Sequence, residues 1–264
     1  MKRILITIPC YNEELVLEKN TIAIMEYAKV HLADFDWKIL VIDNNSGDKT
    51  FEIGNRLKAS YPDKISVFQE KKAGRGVALR SAWKYFSDFD VYSYMDADLA
   101  TDIRDFRFIV LKVADGHDLV TGSRYLPESN IKRSFLRETM SRIYNLILKL
   151  ALNVSFRDAQ CGFKAMSTRL VKELFGKTRD NGWFWDTELM ILACRQGYKV
   201  LEVPVSWRET RDELRRSKVS PFTEAVRQLR NIWKMRKRLS KKHEIRNPKS
   251  ETNSNDQNSK SKTV

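Results

Sequence analysis

The sequence predicts an α/β fold built on a mostly parallel sheet with helices on both faces, and three observations carry that prediction. Over the first hundred residues, hydrophobic runs alternate with amphipathic stretches in βαβ order. Polar and charged residues gather just after those runs, where such sheets hold their ligands. No internal repeat, Cys-x-x-Cys pair or spanning apolar segment argues for another architecture.

In order, residues 4–8 read as a strand, 13–31 as a helix, 37–43 as a strand, 48–61 as a helix, 65–70 as a strand, 76–87 as a helix and 91–96 as a strand. The strand ends carry Asn12 and Glu13, Asp43, Lys71 and Lys72, and Asp96 and Asp98. Two carboxylates at i and i+2 on an open strand end are placed to hold a hard divalent cation and, through it, a diphosphate. A solvated pair of acids at a turn fits the same three letters. Asp43-Asn44-Asn45-Ser46-Gly47-Asp48 would equally serve as a turn and helix cap. The glycines flanking Arg75 suit a phosphate at a helix N-terminus, but the segment lacks the Gly-Lys-Ser/Thr ending of a P-loop.

Beyond residue 102 the alternation weakens. A helix is expected over 102–113, a strand over 119–122, and a longer helix over 134–152 with Leu136, Met140, Ile143, Ile147 and Leu150 on one face. Arg133, Arg137, Arg142 and Lys149 flank that face, so core packing and a membrane-interface role both fit it. Residues 220–239, opened by Ser220-Pro221, read as a basic amphipathic helix with Phe222, Val226, Leu229 and Trp233 as its apolar stripe. The basic tail, 240–264, has almost no apolar residue and is expected to be disordered.

At 264 residues with 42% hydrophobic content, the chain can bury an ordinary core. Its formal net charge of +14 implies a polyanionic partner: nucleic acid, anionic lipid or a multiply phosphorylated substrate. Cys10, Cys161 and Cys194 suggest reduced thiols, and His31, His117 and His243 are too scattered for a metal site. With no signal-peptide pattern and no apolar run near ~18 residues, a cytoplasmic protein is expected.

Taken together, Ile8-Pro9-Cys10-Tyr11-Asn12-Glu13-Glu14, Val41-Ile42-Asp43-Asn44-Asn45-Ser46-Gly47-Asp48, Ala73-Gly74-Arg75-Gly76, Met95-Asp96-Ala97-Asp98-Leu99, Gly122-Ser123-Arg124-Tyr125 and Asp158-Ala159-Gln160-Cys161-Gly162-Phe163-Lys164-Ala165 form an ordered series. In that series the chain resembles the family 2 glycosyltransferases of GT-A fold, especially the polyprenyl-phosphate branch that includes dolichyl-phosphate glucose and mannose synthases. The likeness runs from Ile4 to about Lys218, and residues 1–219 are taken as the glycosyltransferase domain. It implies that Pro9, Tyr11, Glu13, Asp43 and Arg75 bind a nucleoside diphosphate sugar, and that Asp96 and Asp98 engage Mg2+ or Mn2+ and the diphosphate. Arg124, Arg137 and Ser141 resemble the acceptor-phosphate site, residues 137 and 141 sharing a helix face. Ser217 and Lys218 resemble a loop that closes over the donor. Trp183-Phe184-Trp185-Asp186-Thr187-Glu188 resembles the sugar-pocket segment, with Asp186 the best-placed general base if the acceptor were a hydroxyl.

Ala100 stands where relatives often have a metal-coordinating Gln, so water or Asp102 would complete the coordination. The Gln160-Cys161-Gly162-Phe163 segment favours UDP-glucose over GDP-mannose. The resulting expectation is inverting hexose transfer to a polyprenyl or dolichyl phosphate by a protein attached peripherally to an anionic membrane on its cytoplasmic, inner face. The alternatives are transfer to a hydroxyl of a sugar or lipid, and a non-catalytic basic protein binding lipid or nucleic acid. No nucleic-acid partner is expected, because carboxylates at the mouth of the site would repel its backbone.

Overall fold

In the computed structural model the chain is described over residues 1–209 and 221–246, without the side chains of 136–137, 221–225 and 241–246. The first strand, β1 (Arg3–Cys10), is followed by α1 (Leu17–His31), β2 (Asp36–Asp43), α2 (Thr50–Ser60), β3 (Ile65–Gln69), α3 (Arg75–Tyr85) and β4 (Val91–Met95). Next come α4 (Phe106–Ala114), β5 (Leu119–Ser123), β6 (Asn130–Lys132), α5 (Phe135–Leu152), β7 (Phe163–Ser167) and α6 (Thr168–Leu174). The last described elements are α7 (Phe184–Arg195), β8 (Val200–Pro204), β9 (Ser206–Arg208) and α8 (Pro221–Arg246).

The main sheet has the order β3-β2-β1-β4-β7-β5-β8 and is parallel except where β7 pairs antiparallel with β4 and β5. Side chains alternate across it as the pleat requires. Ile4, Ile6, Ile8, Ile39 and Val41 enter one core layer under α1, α2 and α4, whereas Leu5, Leu40 and Ile42 enter the other under α3, α6 and α7. Full burial of each such side chain contributes ~1.5–3 kcal/mol. The chain leaves β1 toward β2 and β3, then returns to the opposite side of β1 with β4. That reversal opens a crevice between the carboxyl ends of β1 and β4.

Several boundaries differ from the sequence expectation. The helix expected from residue 13 starts at Leu17, because the loops after β1 and β2 are stitched together. Asn12 has φ +55° and accepts from the Gly47 N–H at 2.8 Å, its own N–H donates to the Ser46 hydroxyl at 3.0 Å, and the Glu13 N–H donates to the Thr50 hydroxyl at 2.8 Å. Asp102 caps a 3₁₀ turn, Ile103–Asp105, and α4 starts only at Phe106. Strand β7 is absent from the sequence expectation: its first three residues, Phe163, Lys164 and Ala165, end a motif segment, and its apolar run is short. α8 continues to Arg246, past the boundary drawn at residue 240; residues 247–264 lie outside the described part, as does Ser220.

Helix α5 turns some of its apolar residues to the core and others outward. Leu148 and Leu152 are in the core with Asn145 beside them, while Met140, Ile143 and Leu146 are exposed, together with Leu150 at 79% and Phe135 at 86%. Val226, Leu229 and Trp233 of α8 are exposed as well, and Ile232 and Met235 are buried. The described part of the expected α8 stripe, Val226, Leu229 and Trp233, is therefore outward-facing, and so is much of the expected α5 stripe; the Phe222 side chain lies outside the described residues. Inward, α8 makes a polar seam: Arg238 bonds to Glu188 and to the Lys177 carbonyl, Asn231 donates to Asp180 at 3.0 Å, and Tyr144 of α5 donates to Gln228 at 3.1 Å.

Candidate active site

At the end of β4, Asp96 begins a tight turn closed by Leu99 N–H to its carbonyl at 3.1 Å, with the Asp98 carboxylate accepting from the Ala100 N–H at 3.1 Å. Leu99 adopts φ +49°, a conformation costing a residue with a side chain ~1–2 kcal/mol. The Asp96 N–H donates to the Gly162 carbonyl at 3.1 Å, and a Cβ at Gly162 would run into the Asp96 carboxylate. Glycine at 162 is thus required by the approach of the β4 turn.

Arg75 lies beneath this turn, almost wholly buried, with Nη2 2.8 Å from Asp96 Oδ1 and Nη1 3.6 Å from Asp186 Oδ2. Its guanidinium is 5.0 Å from the ring centroids of both Tyr94 and Trp183. Burial disfavours the charge, but Asp96 and Asp186 outweigh it and hold the guanidinium above its ordinary pKa. Asp186 is 1% exposed, accepts a hydrogen bond from the Tyr94 hydroxyl, and lies 3.6 Å from the fully buried Lys164 ammonium. Burial raises the pKa of Asp96, with Asp98 and Asp186 acting in the same direction and Arg75 against them.

The flanking glycines of Arg75 do a different job from the phosphate contact the sequence offered. A Cβ at Gly74 would strike the Asn181 carbonyl, and one at Gly76 would lie 2.6 Å from Trp185 Cβ. The N–H groups of Gly76 and Val77 both donate to the Asn181 carbonyl, at 2.9 and 3.3 Å. The start of α3 is therefore capped by the loop before α7, and Arg75 enters the site through its side chain alone. The aromatic segment divides: Trp185 and Phe184 are core residues, whereas Trp183 stands at the mouth, 45% exposed.

On the β1 side, Tyr11 is exposed and Pro9 and Glu13 are half-buried. Asp43 is wholly buried, accepting from Ser46 N–H at 3.3 Å and Gln69 Nε2 at 3.1 Å, so the turn role open to it in the sequence is realised. Asn44 orders the next loop, donating to the carbonyls of Glu70 and Lys72 and accepting from Gly74 N–H at 2.7 Å. Asp102 is paired with Arg104, whose Nε donates to both of its carboxylate oxygens.

Arg124 is clamped by Asp158, a carboxylate with no exposed surface, through Nε at 2.7 Å, Nη2 at 2.9 Å and its own backbone N–H at 3.0 Å. Glu202 fixes Asp158 in turn by accepting its N–H at 2.8 Å. Ser141 accepts from the Tyr125 hydroxyl at 2.6 Å. Arg137 sits one turn before Ser141 on α5; its side chain, and Ser217 and Lys218 altogether, lie outside the described residues. An open pocket of about 600 Å³ is lined by Arg124, Tyr125, Arg133, Phe135, Glu138 and Arg142 among others. One segment spans both halves of the site: Asp158 holds Arg124, Gly162 receives Asp96, and Lys164 reaches Asp186. Between them, burial pushes the Cys161 thiol up to about 12, which leaves it protonated and unreactive at neutral pH.

Among the described residues no group of three or more His, Cys, Asp and Glu side chains could hold a metal. Asp96 and Asp98 nonetheless offer hard oxygens on one turn, and the raised Asp96 pKa marks a carboxylate whose charge an added cation would stabilise. The pair fits Mg2+ or Mn2+ completed by diphosphate oxygens and water.

A mostly parallel sheet reversing at β1, with paired carboxylates at the crevice, defines a GT-A type, Rossmann-like fold. The sequence profile described as "Glycosyl transferase family 2" matches residues 5–175, and the chain belongs to that family. It is 37% identical over 204 residues to glycosyltransferase AglD of Haloferax volcanii, covering 76% of this chain and 32% of that one. It is 30% identical over 212 residues to dolichyl-phosphate beta-glucosyltransferase ALG5A of Trichomonas vaginalis, covering 77% and 65%. The chain thus spans about a third of the first relative and just under two thirds of the second. In fold it is similar to glucosyl-3-phosphoglycerate synthase from Mycobacterium tuberculosis, in complex with Mn2+, UDP and phosphoglyceric acid, with TM-score 0.61, 17% identity, and coverage of 88% and 76%.

Proposed function

We propose that this protein transfers a hexose, with inversion, from a nucleoside diphosphate sugar to a polyprenyl or dolichyl phosphate at the cytoplasmic face of a membrane. UDP-glucose is the favoured donor and GDP-mannose the next. The observation that carries the acceptor assignment is the arginine-lined pocket opening beside Phe135 and the exposed apolar faces of α5 and α8. A phosphate on a hydrocarbon chain matches both parts, whereas a neutral sugar hydroxyl matches neither. Dolichyl phosphate is also the acceptor in the name of the Trichomonas relative.

Tyr11, Glu13 and Pro9 form the exposed side of the nucleoside cleft, and Asp43 shapes it through the turn it holds. A cation held by Asp96 and Asp98 would neutralise the leaving diphosphate. Arg75 keeps Asp96 aimed into the cleft, and Trp183 offers an aromatic face to the sugar. A phosphate acceptor is already largely an oxyanion at neutral pH, its second pKa being ~6, so it needs no general base. That agrees with Asp186, whose carboxylate is buried and engaged by Tyr94, Arg75 and Lys164. The work left to the protein is to neutralise and align two anions, and Arg124, fixed by Asp158, is built for it. On this reading the exposed apolar faces of α5 and α8 rest on the membrane surface; among the described residues no helix is long and apolar enough to cross one.

Transfer to a hydroxyl is the second reading, favoured by the phosphoglyceric acid bound to the mycobacterial structure. Purified protein incubated with radiolabelled nucleotide sugars and polyprenyl phosphate, then extracted into organic solvent, separates the two. EDTA-sensitive label from UDP-glucose in the organic phase is expected. Label that never depends on the lipid phosphate would overturn the proposal.

A further inference from the structure

Glu138 lies in the first turn of α5, inside the pocket, and its two oxygens are treated differently. Oε1 accepts from Arg142 Nε at 2.7 Å. Oε2 is buried, has no hydrogen-bond partner among the described residues, and stands 3.9 Å from Arg133 Nη1. Arg133 mirrors it: Nε and Nη1 are both buried and without a hydrogen-bond partner among the described residues. Unmade hydrogen bonds at buried charges cost more than any other polar defect, and here a donor and an acceptor stay unsatisfied within sight of each other.

The surroundings gather further positive charge around these groups. Arg133 lies 5.2 Å from the Trp207 ring, Arg142 5.1 Å from Tyr125, and Arg124 5.9 and 5.7 Å from the same two rings. Trp207 is brought there by the small β6·β9 sheet. Three guanidiniums, of Arg124, Arg133 and Arg142, thus share two aromatic faces and meet two carboxylates, Asp158 and Glu138. Burial, and then Arg124, pull the Arg133 pKa down, so one more anion in the pocket would relieve it.

We propose that Glu138 is an exchangeable stand-in for the acceptor's phosphate. On this view, which rests on the function proposed above, Arg133 and Arg142 turn from the Glu138 carboxylate to a phosphate monoester as it enters. Three oxygens and a charge near ~−2 satisfy the donors of Arg133 that one carboxylate leaves unmet. The exchange also gives selectivity. A singly charged phosphodiester, as in ordinary phospholipid headgroups, gains less from displacing a carboxylate than a monoester does. Arg133 and Glu138 are then positioning and specificity residues in addition to Arg124, Arg137 and Ser141.

Calorimetric titration of the full chain with geranyl phosphate tests this without requiring turnover. Glu138→Gln should tighten binding several-fold and Arg133→Gln should weaken it ~10-fold, the size of one charge-assisted hydrogen bond. Arg133→Lys should lie between, with melting temperature reported for each variant. If Glu138 served only as a helix-pairing residue for Arg142, Glu138→Gln would lower the melting temperature and leave affinity unchanged or weaker, which would overturn the proposal. Arg133→Gln that binds like wild type would do the same. Inorganic phosphate binding as tightly as geranyl phosphate would support the exchange but assign a soluble phosphate as its source. Vesicles of phosphatidylglycerol should compete better with geranyl phosphate in Glu138→Gln than in wild type. A failure of sugar transfer in the extraction assay would count against the proposed function and leave these binding results standing.

Discussion

Asp186 and Glu138 are both carboxylates set among basic side chains, yet one is fully engaged and the other is not. Asp186 is met by Tyr94, Arg75 and Lys164 in the interior, while one oxygen of Glu138 has no hydrogen-bond partner among the described residues, at the edge of an exposed apolar surface. The donor end of the site is assembled in advance and holds its geometry through buried pairs. Under the function proposed above, the acceptor end keeps polar groups in reserve for a ligand that arrives from a lipid phase. A transferase joining a soluble donor to a membrane acceptor benefits from that division, because preorganisation is most useful where the charge of the leaving group develops.

The sharpest way to break the donor half is Asp98→Asn, which keeps the shape and removes the charge. Initial rates with UDP-glucose and polyprenyl phosphate should fall ~10³-fold or more with the circular dichroism unchanged. Full activity in EDTA, or in the variant, would remove the cation from the account.

Asp186→Asn sharpens the same comparison from inside. Removing one partner from a buried ionic network costs ~3–5 kcal/mol of stability, so the melting temperature should drop and the donor Michaelis constant should rise. Single-turnover rates at saturating donor should not show the ~10²–10⁴-fold loss that follows removal of a general base. Arg137→Ala should do the reverse, raising the acceptor Michaelis constant with donor binding nearly unchanged. A dead Asp186→Asn beside a normal Arg137→Ala would make the acceptor a hydroxyl.

These contrasts also mark what could be read from the sequence. The strand-end positions of Asn12, Asp43 and Asp96 were legible because hydrophobic periodicity places them, and the parallel order followed from βαβ alternation. Asp158, Lys164 and Gly162 lie in a quoted motif, but their roles depend on β7 running antiparallel beside β4, which a five-residue strand does not announce. Arg133 and Trp207 are 74 positions apart in the chain and meet only through β6 and β9. On α5 the apolar residues are spread over more than half the circumference, so periodicity alone could not say which stripe faces water.

The outward stripes of α5 and α8 give a third test. Ile143→Glu with Trp233→Glu should cut flotation with anionic liposomes ~10-fold at low salt, while exposed positions leave stability within about 0.5 kcal/mol. Undiminished flotation would move the membrane contact elsewhere.

The smallest effect concerns pH. Burial, reinforced by Asp98 and Asp186, raises the Asp96 pKa above the usual ~3.9, so the folded protein keeps that proton to higher pH than the unfolded chain. The associated stability is present in acid and lost as pH rises through the raised value. Cation binding has the opposite sign, since it requires the ionised form. The melting-temperature increase produced by Mn2+ should therefore grow by a few degrees from about pH 4 to about pH 7. An increase independent of pH would locate the ion away from Asp96.

The polar seam of α8 has a consequence for how the protein is made. The loop that caps α3 and carries Trp183 is held from behind by Asn231 and Arg238, through Asp180, Glu188 and the Lys177 carbonyl. During synthesis these two residues emerge after every strand of the main sheet has been completed. A nascent chain stopped before them leaves Glu188 without the Arg238 guanidinium, so the loop that carries Trp183 gains its last support only when α8 has been made. Under the proposed membrane contact, the helix that completes this support also carries part of the outward apolar surface, so the two are acquired together.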